Sequence, residues 1–156
     1  MKIITNLLLS FLLVSIASQG QEKKLAVLAY GTNDQYYEFI QNELITAFND
    51  DGTYTVFERQ QEFLDMIAKE HSFQQSGWVR DKDIIDMARK AGAEYVCAFK
   101  MLNLVFGEQP IAARILSVES GKVVRSVQWS GEWNSMNNMR SAVKVITSKL
   151  TRSKDL

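Results

Sequence analysis

The sequence predicts a single α/β (α+β) domain: a mixed β-sheet covered by helices, in the order β-α-β-α-α-β-β-β-α. Three observations carry this. "KLAVLAY" is a continuous apolar run of strand length, as expected for a strand buried on both faces, and "EYVCAFKM" also reads as a buried strand. Stretches with apolar residues three and four apart separate the strands, which is helical spacing. Two strand-like runs flank "ESGK", a hairpin signal with Gly121 in the loop. Alternating helices and strands that end in a hairpin pack as helices layered on a mixed sheet.

Each element has its own local signal. Lys24 to Tyr30 is the first strand, followed by the turn "GTND", where Asn33 or Asp34 can cap a helix. Tyr36, Ile40, Leu44 and Ala47/Phe48 then form one stripe, and "NDDG" stops that helix. "TYTVFER", Thr53 to Arg59, is β-branched and aromatic and reads as the second strand. Gln60 to about Glu70 is a helix with Phe63, Leu64 and Ile67 inward. Asp81 or Asp83 can cap a third helix with Ile84, Ile85, Ala88 and Ala91 on its buried face, and Gly92 is placed to end it after Arg89 and Lys90. "EYVCAFKM" follows, then an irregular or extended stretch from Met101 to Gln109. "IAARILSV" and "KVVRSVQWSGEW" are the hairpin strands. Asn134 or Ser135 caps a last helix with Met139, Val143, Ile146 and Leu150 on one side.

The N-terminus reads as export. Lys2, an apolar run from Leu7 to Ile16, and small residues at Ser18 and Gly20 make the three-part layout of a secretory signal peptide, with cleavage expected after Gly20. The run is shorter than the roughly 20 residues a membrane span needs. Residues 1–20 are therefore the expected signal peptide and 21–156 one domain, with no transmembrane span in the mature chain and no cysteine near the cleavage site for a lipid anchor. Without Lys2 the mature chain carries 17 basic and 18 acidic residues, a balance that points to no nucleic acid and no anionic membrane. The expected location is periplasmic or secreted.

The search for chemistry returns little. Asn49, Asp51, Gly52 and Glu58 fall on EF-hand positions, but Ala47 stands where the first ligand belongs and the loop would end inside a strand, so a helix-to-strand turn is the reading. His71 and Cys97, the single histidine and cysteine, are too far apart for a ligand pair, and no spacing nominates a nucleophile for His71. Cys97 lies inside a strand and reads as a small apolar core residue. No glycine-rich phosphate loop is present. Asp81 and Asp83 look like helix-start residues and not acid/base partners. No catalytic residue, metal or cofactor is expected. Trp129 alternates with Val123 and Val127 and is expected to be buried, whereas Trp78 and Trp133 fall in loops and suit exposed contacts.

The order of "KLAVLAY", "TYTVFERQQEFLDMIAKE", "SGWVRDKDIIDMARKAGAEYVCAFKM" and "AARILSVESGKVV" resembles the domain shared by the curli-secretion CsgG proteins, the LpoB-type activators of penicillin-binding proteins and the N-terminal domain of TolB. The matching positions are Arg59, Glu70, Ser76-Gly77, Gly92 to Val96, and Arg114 to Val124. The chain departs from these families in lacking a lipoprotein cysteine, long amphipathic hairpins and propeller repeats. The resemblance implies a non-enzymatic envelope protein-binding module with an envelope protein as partner, for example an adaptor or activator for a peptidoglycan synthase or for an outer-membrane assembly or secretion component. It also leaves room for a homo-oligomer. Partner contact is expected through loops and one sheet edge, with Tyr36, Tyr37, Trp78, Arg80 and Trp133 as candidates. The competing expectation is an exported enzyme or small-ligand-binding protein with a cleft around His71, Trp78 and Arg80.

Overall fold

A computed structural model describes residues 23–31, 34–69, 80–101 and 109–152. The expected signal peptide, His71, Trp78, Glu70, Ser76-Gly77 and the stretch expected to be irregular after Met101 lie outside the described residues. The elements run β1 (Lys24–Tyr30), α1 (Asp34–Asp51), β2 (Thr55–Val56), α2 (Gln60–Lys69), α3 (Asp81–Ala91), β3 (Tyr95–Met101), β4 (Gln109–Ser117), β5 (Val123–Gly131) and α4 (Met136–Thr151). This is the predicted order, and the five strands make one mixed sheet in the order β2-β1-β3-β4-β5. β1 pairs in parallel with β2 and β3, and β3-β4 and β4-β5 are antiparallel.

Strand alternation divides the core in two. Leu25, Val27 and Ala29 of β1, Cys97 and Phe99 of β3, and Ile111, Ala113 and Ile115 of β4 face α1 and α4. Ala26 and Leu28, Val96 and Ala98, and Leu116 face the opposite way, toward α2 and α3. The helical stripes read from spacing are the buried ones: Ile40, Leu44 and Phe48 in α1, Met139, Val143, Ile146 and Leu150 in α4.

Three local readings need correction. The second strand is not Thr53 to Arg59 but two residues long. The chain leaves the sheet at Phe57, turns through Glu58 and Arg59, and starts α2 so that Gln60 reaches β1. Gln60 Oε1 accepts from Val27 N at 2.9 Å, and its Nε2 donates to Val27 O at 2.6 Å. Gln41 of α1 accepts from Ala29 N at 2.9 Å and donates to Val27 O at 2.9 Å. Two buried amides thus replace a neighbouring strand along the outer edge of β1, where unmade hydrogen bonds would be costly.

The cap of α3 is Arg80, in extended conformation and without a side-chain cap bond, and neither Asp81 nor Asp83 fills that place. Both carboxylates are drawn to arginines instead: Asp83 to Arg80 at 2.8 Å and Asp81 to Arg114 of β4 at 2.8 Å. Their charge still sits in the first turn, where the helix dipole favours it. The last helix follows expectation: Ser135 is its cap and its side chain accepts from Asn138 N. Gly92 ends α3 at φ 92°, its N–H donating to Ala88 and Arg89 carbonyls. The third correction, at Trp133, concerns the candidate site.

Candidate functional site

Helices α1 and α4 sit side by side on one face of the sheet, joined by Arg140 to Glu43 at 2.9 Å and Thr151 to Asp51 at 2.8 Å. On the opposite face α2 and α3 cover β1, β3 and the Leu116–Val118 end of β4. Beyond them the β4-β5 half is open: Ser126, Gln128 and Ser130 are exposed, and Ala112 and Arg114 are half-buried. Ala112 pairs with Gln128 and Pro110 with Ser130, and these residues line a shallow depression of about 290 Å³.

Arg114 borders this surface. Its guanidinium holds Asp81 in a bidentate pair, 2.9 and 2.8 Å, and donates to Tyr30 Oη at 3.4 Å. Lys100 Nζ lies 5.9 Å from the centre of the Tyr30 ring. Burial raises the Tyr30 phenol pKa, and the Arg114 guanidinium pulls against that rise. Tyr30 is the last residue of β1 and pairs with Lys100, the last but one of β3, at the side of an α/β sheet where binding sites collect. Gly31 follows at φ 79°, and a Cβ there would stand 2.5 Å from Met101 O, so only glycine lets these strand ends come together.

The predicted contact residues separate into different environments. Arg80 is 82% exposed at its side chain and engages Asp83, so it lies on the surface at the start of α3. Tyr36 and Tyr37 are half-buried against the α1/α4 core, and burial raises the pKa of Tyr37. Trp133 is no fully exposed loop residue. It meets Phe99 edge-on at 6.4 Å and Trp129 at 6.0 Å, and its indole Nε1 is buried without a hydrogen-bond partner. The chain after Gly131 brings it back onto the sheet, where Trp129 already lies over Gly131. Trp129 is half-buried on the same core.

The calcium-like segment is occupied by the turn itself. Asn49 Oδ1 accepts from Val56 N at 3.3 Å, and Asp51 accepts from Thr53 N and the Thr151 hydroxyl. Burial works to raise the Asp51 pKa, but the Thr53 and Thr151 hydrogen bonds outweigh it and hold the carboxyl below its ordinary value. Cys97 is wholly enclosed, and burial pushes its thiol up to about 12.

The Arg114–Asp81 pair and the open β4-β5 surface escaped the sequence reading. Ser126, Gln128 and Ser130 alternating with Arg125, Val127 and Trp129 mark one polar, neutral strand face, and that was the available signal. Nothing local joins Arg114 to an aspartate 33 positions away.

No protein-family model and no curated protein matches the chain. Solved structures do. PelC from Paraburkholderia phytofirmans, a dodecamer, is similar at 14% identity and TM-score 0.53, over 85% of this chain and 90% of that one. The LpoB C-terminal domain from Salmonella enterica is similar at 17% identity and TM-score 0.53, over 80% of this chain and 93% of that one. The same domain from Escherichia coli is similar at 18% identity and TM-score 0.51, over 79% and 93%. At such identities the likeness is one of fold, and the fold is the LpoB type that the sequence motifs implied.

Proposed function

We propose, from the premise of an LpoB-type fold, that this chain is an exported, non-enzymatic envelope module that works by binding another protein. Its role is that of an adaptor or activator, with a peptidoglycan synthase or an outer-membrane assembly or secretion component as the class of partner. The observation that carries the reading is the half-covered sheet. Among the described residues no helix covers this face of β4 and β5, and Ser126, Gln128 and Ser130 stand exposed beside the half-buried Ala112 and the Arg114–Asp81 pair. The layout of residues 1–20 supports export, and among the described residues no helix is long and apolar enough to cross a membrane.

The test is site-specific photo-crosslinking in the native host. A photoreactive residue at Gln128 is expected to capture one discrete envelope protein, whereas the same probe at Lys144, exposed on the outside of α4, is expected to capture none. Equal or empty capture from both positions refutes the docking role of this surface.

A further inference from the structure

The sheet makes use of the chain from Lys23 onward. Lys23 O accepts from Thr55 N at 3.1 Å, which fastens β2 to the lead-in of β1. Lys23 Nζ lies 5.6 Å from the centre of the Tyr54 ring, and Lys24 N donates to Glu94 Oε2 at 3.3 Å. Both lysines are exposed. These contacts begin only two positions past Gln21.

Which residue becomes the mature terminus is set by the leader. Signal peptidase needs a small residue just before the cut, and the leader ends on two of them, Ser18 and Gly20. Ser18 is followed by Gln19 and Gly20 by Gln21, so a cut after either one exposes an N-terminal glutamine. A terminal glutamine carries a nucleophile and an electrophile in one residue. Joining its α-amine to its own side-chain Cδ closes an unstrained five-membered ring, and the tether holds the two at high effective concentration. The amine titrates at roughly pH 8, so about a tenth of it is free base at neutral pH.

We propose that the mature chain begins with pyroglutamate, formed at Gln21, or at Gln19 where the cut falls after Ser18. The free amine attacks Cδ of its own side chain. A bond from the amine nitrogen to Cδ forms, and the bond from Cδ to the side-chain nitrogen breaks. That nitrogen takes the proton the amine gives up and leaves as ammonia. No oxidant, reductant or co-reactant is consumed, and the terminal positive charge is lost. The modification rests on the export reading of residues 1–20, since only a cut leader frees this amine. Its use follows from the fold. Proteolysis concentrates at termini, and an aminopeptidase needs a free α-amine. Removal of two residues from Gln21 would reach Lys23, whose carbonyl and ammonium hold Thr55 and Tyr54 to β1. A terminal lactam closes that route and changes no atom of the β1 ladder.

The test makes the full chain with its leader in the native host and reads the purified protein by intact mass and by tandem mass spectrometry of its N-terminal peptide. A terminus at Gln21 or Gln19, lighter by one ammonia, is expected. A synthetic peptide of residues 21–30 carried through the same steps is expected to stay linear; closure of that peptide to the same extent overturns the inference. Added aminopeptidase should shorten a Gln19→Ala/Gln21→Ala variant and leave the wild type whole, and equal shortening of the two also overturns it. A glutamine terminus at full mass, or a terminus on any other residue, overturns the inference and leaves export standing. A chain that keeps Met1 overturns the inference, and its fractionation with the cytoplasm overturns the export reading as well.

Discussion

The two glutamines on β1 make a quantitative prediction. Gln60→Leu leaves Val27 N without its acceptor, while Val27 O keeps the bond from Gln41. Gln41→Leu leaves Ala29 N without its acceptor, while Val27 O keeps the bond from Gln60. Both sites are nearly sealed, at 4% exposure for Gln41 and 9% for Gln60. Each single change therefore strands one buried donor, a cost of about 1–3 kcal/mol that the larger apolar side chain partly offsets. The double variant strands both donors and, in addition, Val27 O. That carbonyl is lost in neither single variant, so the double variant should be destabilised beyond the sum of the two singles by a further ~1–3 kcal/mol. The offset from leucine appears in both singles and cancels in the cycle. Urea unfolding followed by far-ultraviolet circular dichroism and tryptophan fluorescence measures all four corners. Additivity within about 0.5 kcal/mol would mean that Val27 O does not depend on these amides, and the account of the closed edge would fail.

Other expectations follow from single sites. Below about pH 9 Cys97 is protonated in both folded and unfolded chains. Above it only the unfolded thiol ionises until about pH 12, so stability is lost as pH rises, by ~1.4 kcal/mol at pH 10 relative to Cys97→Ala. Parallel slopes for the two proteins between pH 8 and 10 would refute the burial of that thiol; Tyr30, Tyr37 and Tyr54, also raised by burial, act in the same direction in both. The glycines separate strain from collision. Gly92→Ala meets only Arg59 at 3.8 Å and should cost about 1 kcal/mol for its positive φ, whereas Gly31→Ala also drives a Cβ to 2.5 Å from Met101 O and should cost more, about 2–4 kcal/mol, in thermal unfolding. Equal costs would remove the close approach from the explanation. Ser135→Ala removes the acceptor for Asn138 N and should lower stability by ~1 kcal/mol, with Ser135→Asp restoring it; an unchanged melting temperature in the alanine variant counts against the cap.

Much of this architecture was legible because its causes are local. "KLAVLAY" is apolar throughout since β1 is covered on both faces, and the α4 stripe of Met139, Val143, Ile146 and Leu150 needs only helical spacing to be seen. Gly92 and Ser135 ended and began helices where their own chemistry placed them. The second strand failed for a non-local reason. "TYTVFER" has strand propensity along its whole length, but the side of β1 it would have paired with is taken by Gln60 and Gln41. Asp81 failed likewise: at the helix start a carboxylate can cap or pair, and Arg114, brought near by the β3-β4 pairing, settles which.

The sequence by itself determined the order of elements, the two faces of the core and the fold type, because periodicity and capping act over a few residues. Tertiary structure alone decided which surfaces remain free. Whether Ser126, Gln128 and Ser130 stay exposed depends on where β5 stands in the sheet, and whether Trp133 faces solvent depends on Phe99 and Trp129 being under it. An edge and an open face are properties of what is absent beside a strand, and no pattern along the strand itself records its neighbours.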